Sequence, residues 1–205
     1  MTHAEARRII QDAWRRVHGR DATDLETVYT QAIAWLESRY GRAGQFGKLA
    51  AEGHFNWGSL HARGTPPDCP ANAVEGFDVR PVCFLSFPDD VAAATAFVRV
   101  LTKQHWPTID AMEGTPEDVA TAMRVRPAYY EGPPGSEDQK VAAYAGAIRS
   151  SLSEIGRGAP IPSIPTSGGA SSLLLLGLVG GIGYGLYRLY GNPIPNVPAL
   201  ARLLR

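Results

Sequence analysis

The chain has 205 residues, 44% of them apolar, enough for one folded domain of about 150 residues plus an appendage. Twenty basic and twenty acidic side chains leave no formal net charge, which excludes a general electrostatic affinity for nucleic acid. The two cysteines, Cys69 and Cys83, match no metal-binding spacing, and no metal or cofactor is expected. They are either free thiols or a bridge closing a loop of about 15 residues, worth roughly 3 kcal/mol.

The amino-terminal stretch MTHAEARRIIQDAW is charged throughout and lacks the apolar core of a signal peptide. It predicts a helix from about His3 to His18, opened by a Thr2/Glu5 capping box and ended by Gly19. A second box, Thr23 with Glu26, opens a helix whose apolar stripe centres on Leu25, Ala32 and Leu36 and which Gly41 stops. Residues 42 to 84 are rich in Gly, Pro, Asn and Asp and predict a loop-rich lobe with one small hairpin. Helices resume from Pro88 to His105, again after Thr115-Pro116, and from a Ser136/Gln139 box to about Ile155.

A proline-rich, uncharged linker over 158–169 marks the end of the first domain near residue 157. Residues 170–190 predict a transmembrane helix. The uncharged run ASSLLLLGLVGGIGYGLY spans about 27 Å as a helix, close to a hydrocarbon core of about 30 Å. Gly177, Gly181 and Gly185 form a small-residue face suited to self-association in lipid, whereas residues 1 to 157 are expected to be monomeric. The tail 191–205 is short and basic, and no acidic residue follows Glu154. Basic residues beyond the span favour an amino-terminal domain outside the cell. Two routes reconcile that with the missing signal sequence. Either the span acts as a late reverse anchor in a bacterial envelope, or the protein rides in the internal membrane of a phage particle and meets the wall at infection.

The residues that carry chemistry lie between Ala32 and Gly58. On a helical wheel Glu37 falls just outside the apolar edge, beside Ile33, where its carboxyl is partly desolvated yet reaches a groove. Burial of that kind raises a carboxyl pKa, and a protonated carboxyl can protonate a glycosidic oxygen. A lone Glu at a helix edge is ordinarily a solvated charge. Its setting distinguishes this one: Ser38, Tyr40 and Gly41 follow it, and the turn Asn56-Trp57-Gly58 comes after a linker.

Ala34-Trp35-Leu36-Glu37-Ser38-Arg39-Tyr40-Gly41 resembles the A-x-L-E-S-x-[WY]-G signature of the flagellar-type and autolysin glucosaminidases, glycoside hydrolase family seventy-three. Asn56-Trp57-Gly58-Ser59-Leu60 resembles that family's N-x-F-G-I-K segment, one residue shorter and without the lysine. Phe84 to Asp89 resembles its F-R-x-Y-x-S, and Tyr129 to Pro134 stands where the family has G-Y-A-T-D-P. The four landmarks cover about residues 30 to 150 in the family's order. The resemblance implies a mainly α, lysozyme-like helical domain with a small loop-rich β-lobe, cleaving the β-1,4 glycosidic bonds of peptidoglycan.

It further implies Glu37 as the general acid and a second carboxylate in the lobe, Glu75, with Asp78 as the alternate. An inverting hydrolase places the pair about 6.5–9.5 Å apart. Tyr129 or Tyr130 matches the family's groove tyrosine or else packs in the core. Tyr40 and Trp57 supply aromatic surface for N-acetyl sugars, unless Trp57 is a buried anchor. Asn56 binds an acetamido group or holds its turn. The competing readings are a lytic transglycosylase on the same fold, with one acid and anhydro-sugar products, and a tethered glycan-binding or structural membrane protein without catalysis.

Overall fold

Three capping boxes open three helices where the sequence places them. A computed structural model of the chain describes residues 1–78, 80–124, 130 and 134–161. Thr2 and Glu5 cap α1 (His3–His18), Thr23 and Glu26 cap α2 (Asp24–Ser38), and Ser136 and Gln139 cap α7 (Glu137–Gly156). In each box the hydroxyl accepts the third helical N–H and the Glu or Gln accepts the cap's own N–H. Between α2 and α7 lie α3 (Gln45–Ala51), a β-hairpin of β1 (Ala73–Asp78) and β2 (Arg80–Leu85), α4 (Asp90–Arg99), α5 (Pro107–Ala111) and α6 (Pro116–Arg124). The fold of the described residues is therefore mainly helical with one small two-stranded sheet.

Helix α2 is the axis of the body. It packs against α1 on one side and α7 on another, while α1 also lies along α4 and α6 along α7. The expected stripe is corrected here: Leu25 is 43% exposed, whereas Glu26, Thr27, Thr30 and Gln31 are buried. A helix enclosed along most of its length must find partners inside for its buried polar residues. Gln11 donates to Thr27 Oγ1 at 2.6 Å, Trp14 to Thr30 Oγ1 at 3.3 Å, and Gln31 to the His3 carbonyl at 2.9 Å. Glu26 takes a two-pronged ion pair from Arg20. The main core then closes with Trp14, Trp35, Trp57, Phe97, Leu101 and Ile148, all but unexposed.

Three boundaries differ from expectation. Helix α2 stops at Ser38, because Arg39 already turns left-handed. The helix expected from Pro88 to His105 starts after an Asp89 cap and changes to a π-helical turn at Val100–Gln104. Helix α3 lies inside the stretch expected to be loop. It has seven residues, Gly44 at φ 55° and no side-chain cap, so neither period nor signal announces it. Its first residue, Gln45, bonds both the N–H and the carbonyl of Phe77 near the hairpin tip, at 3.0 and 2.6 Å.

The lobe has its own small core of Phe46, Val82 and Phe84, with Leu49 and Val74 packed on it. The hairpin register sets Val74 against Phe84 and Glu75 against Cys83. On the other edge of β2, residues 60–62 add a short third rung. Leu85 donates to the Leu60 carbonyl and Ala62 to the Cys83 carbonyl, at 2.9 and 2.7 Å. Cys69 and Cys83 are bridged.

Past α7 the chain still belongs to the body. Ala159 and Ile161 pack on the main core, and His3 Nε2 lies 2.8 Å from the Ala159 carbonyl. Among the described residues no helix is long and apolar enough to cross a membrane. The expected span at 170–190, with Gly177, Gly181 and Gly185, lies outside the described residues, as does Tyr129.

Candidate active site

Glu37 is the second-last residue of α2 and stands where that buried helix comes to the surface, half-buried itself. Tyr144, buried on α7, donates its phenol to Glu37 Oε1 at 2.6 Å. The carboxyl is thus oriented by a rigid side chain on the neighbouring helix. Tyr130 stacks flat on Tyr144, ring centroids 3.9 Å apart, and donates its own hydroxyl to the Ala120 carbonyl at 3.0 Å. Its carbonyl in turn accepts from Arg124. Tyr130 is therefore one ring removed from Glu37 and braces the tyrosine that holds it.

Behind Glu37 the backbone makes an unusual turn. Arg39, Tyr40 and Gly41 are all left-handed, with φ 51°, 59° and 71°. For the two residues that carry a Cβ this costs roughly 1–2 kcal/mol each. The surroundings hold it. Arg39 lies over the Trp35 ring at 4.3 Å and pairs with Glu154 at 3.1 Å, while Trp35 Nε1 donates to the same carboxylate at 2.8 Å. Burial pulls the Arg39 pKa below its ordinary value, partly offset by Glu154. Tyr40 turns inward between Trp35 and Trp57, each ring centroid 5.3 Å away. Its hydroxyl meets His3 Nδ1 at 3.0 Å, and burial pushes its pKa far up.

The two sequence landmarks, residues 34–41 and 56–60, touch. Ser38 Oγ accepts from the Gly41 N–H at 2.8 Å and donates to the Trp57 carbonyl at 2.5 Å. Ser59 Oγ donates to the Glu37 carbonyl at 3.1 Å. A Cβ on Gly41 would sit 2.9 Å from the Asn56 carbonyl oxygen, so the close approach itself requires glycine there.

Asn56 and Trp57 take the second reading open to each, turn-holder and buried anchor, and Tyr40 is enclosed with them, which corrects the expectation that it offers aromatic surface to a sugar. Asn56 is 2% exposed. Its Nδ2 donates to the Leu60 and Leu85 carbonyls and its Oδ1 accepts from Gly58 and Leu60 N–H, so the side chain holds the turn and joins it to β2. Trp57 and Tyr40 are 0% exposed and present no ring face to a ligand. Trp57 Nε1 donates to Asp90 Oδ1 at 2.8 Å, and Asp90 also takes a two-pronged pair from buried Arg42, at 2.9 and 2.6 Å. Arg42 reaches back to the Tyr40 carbonyl at 2.6 Å. A depression of about 430 Å³ lies beside this pair, lined by Met1, Glu5, Arg8 and Ile9, and contains none of the expected site residues.

Glu75 is exposed on β1. Asp78, the alternate, pairs with His61 at 3.4 Å. The residue that sequence reasoning missed is Tyr144. Its signal was available: it is the single aromatic of α7, on the inward face with Ala145, Ile148 and Ser151. What period alone cannot supply is the partner helix that this face meets.

No family model matches the chain, and no curated relative matches it. Among solved structures the chain is similar to one from a type VI secretion system effector-immunity complex of Pseudomonas protegens. The identity is 19%, the TM-score 0.41, and the match covers 74% of this chain and 91% of that one.

Proposed function

We propose that residues 1–161 form a lysozyme-like peptidoglycan hydrolase of the endo-β-N-acetylglucosaminidase kind, with Glu37 as its general acid. One observation carries the reading. A half-buried carboxylate ends a buried helix, is oriented by a buried phenol, and is fastened through its own peptide to the turn that begins a second lobe. Tyr144 orients the carboxyl, and the proton it carries as an acid can pass to a leaving glycosidic oxygen. Glu75, exposed in the lobe, is the carboxylate that would activate water; Tyr144 and Tyr130 hold the acid rather than the sugar.

The test is clearing of purified cell walls by the full-length protein and by Glu37→Gln, which keeps the shape and the hydrogen bond from Tyr144. The wild type clears; the variant falls by about a thousandfold or more at unchanged thermal stability. Equal clearing by both would remove Glu37 from the chemistry. Mass spectrometry of the products names the bond that is cut, and anhydro-sugar ends would reassign the protein as a lytic transglycosylase.

We also propose that residues 170–190 tether the hydrolase to a bilayer, an inference from the uncharged run alone. Carbonate washing of membranes leaves a spanning chain in the pellet. Release into the wash would reject the tether.

A further inference from the structure

The lobe that carries Glu75 is joined to the helical body in an uneven way. Strand β2 is its centre, flanked by β1 on one edge and by residues 60–62 on the other. The chain therefore has to cross from one edge of β2 to the other, through residues 63–72. No residue from 61 to 72 is buried. The hydrogen bonds inside the crossing are local, Asp68 to Thr65 and Ala73 to Pro70. At its end the Asn72 carbonyl accepts from the Ser86 N–H at 2.8 Å; among the described residues, what ties 63–71 to another element is the Cys69–Cys83 disulfide.

The two faces of the sheet are also unequal. Val74, Val82 and Phe84 face Phe46 and Leu49 of α3. Cys83 points to the opposite face, and Glu75, its direct cross-strand partner, shares that face. The disulfide thus fastens the crossing loop over the side of the sheet where the candidate second carboxylate sits. The lobe is small, two short strands and the rung 60–62, with a core of only Phe46, Val82 and Phe84 among its buried residues.

We infer that the Cys69–Cys83 disulfide is a redox latch, whose reduction frees the crossing loop and the Glu75 hairpin and stops glycan cleavage while the helical body stays folded. The step is thiol–disulfide exchange with a dithiol. A thiolate of the reductant attacks Sγ of Cys69, the more exposed of the two, and Cys83 leaves as a thiolate and takes a proton. The second thiol of the reductant then displaces Cys69, and the reductant departs as a cyclic disulfide. Two electrons and two protons have passed to the protein. The hydrolase would be silent in a reducing compartment and competent in an oxidising one.

The cleavage half of this inference rests on the glycan-hydrolase reading; the structural half does not. The experiment follows amide exchange by mass spectrometry and wall clearing in parallel. It uses full-length protein in detergent, with and without dithiothreitol, beside the Cys69→Ser/Cys83→Ser double variant. Reduction is expected to deprotect residues 60–85 while α1, α2 and α7 keep their protection, and to slow clearing about a hundredfold, as displaced catalytic groups do. The double variant behaves like the reduced protein and no longer responds to dithiothreitol. Unchanged protection of 60–85 on reduction overturns the latch. So does loss of protection across the helices together with the lobe, which would make the disulfide a general staple. Deprotection with undiminished clearing overturns its control of cleavage. Oxidised protein that clears no wall removes the hydrolase reading, and exchange still decides the latch.

Discussion

The phenol of Tyr144, at 2.6 Å from Oε1, sets Glu37 apart from an ordinary surface glutamate. Tyr144 is itself kept in place by its flat stack on Tyr130 and by burial on α7. Replacing Tyr144 by Phe removes the hydroxyl and leaves the ring stack and the packing. The lost hydrogen bond costs about 1 kcal/mol of stability. Its effect on rate should be larger, about tenfold or more in kcat, because the carboxyl loses the hydrogen bond that aims it at the scissile bond. KM should change little, since Tyr144 is buried and meets no substrate. Steady-state clearing of a soluble glycan by Tyr144→Phe checks this. A rise in KM with kcat intact would make Tyr144 a substrate contact instead of a support for Glu37.

At the scale of elements, the turn 56–60 is the joint of the molecule. Asn56 makes four hydrogen bonds from a buried side chain, binding the turn to itself and to β2, and Ser38 and Ser59 bind it to the end of α2. Asn56→Ala strips partners from buried backbone groups of Gly58 and Leu60 and from the half-buried Leu85 carbonyl. Thermal unfolding should show a loss of about 2–4 kcal/mol, far beyond an ordinary surface change. A loss under about 0.5 kcal/mol would mean that water replaces the side chain. How legible these elements were depends on how local their causes are. The three capping boxes and the hairpin are written in short stretches and were readable. The resemblance put residues 34–41 and 56–60 in order along the chain, but their meeting was not readable, because each half makes sense solely through the other. Helix α3 was not readable, since its Gln45 earns its place by bonding Phe77, thirty-two residues away. Nor was the burial of Thr27, Thr30 and Gln31, which follows from α1 and α7 enclosing α2 from two sides. The same enclosure explains why Trp57 and Tyr40 are braces: aromatic residues beside a candidate acid suggest a sugar platform, but here the core takes them first.

The whole body also carries a pH dependence that follows from two enclosed imidazoles. His18 stacks on Trp14 at 4.6 Å and shares a hydrogen bond with Thr102 at 2.7 Å. Burial holds its pKa below the ordinary value, Lys103 and Arg20 push the same way, and Glu26 opposes them weakly. His105, buried beyond the π-helical turn, is lowered by burial alone. In the unfolded chain both titrate near about 6.5. Below that pH the unfolded state binds more protons than the folded one, so stability must fall as pH falls, and must level off only once pH passes the lowered folded values. Glu26 acts in a separate window. Burial raises its pKa, but the Arg20 pair and the Thr23 backbone N–H together outweigh that and leave it lowered, so its contribution is present above about 4.5 and is lost on further acidification. Thermal melts from pH 7.5 downward should therefore show a first decline beginning near 6.5 and a second below 4.5. His18→Gln, which retains a hydrogen-bond donor for Thr102 and cannot be protonated, should melt lower at pH 7.5 and lose less between 7.5 and 5.5. Identical slopes for the variant and the wild type across that interval would show that His18 is as free to take a proton in the fold as in water.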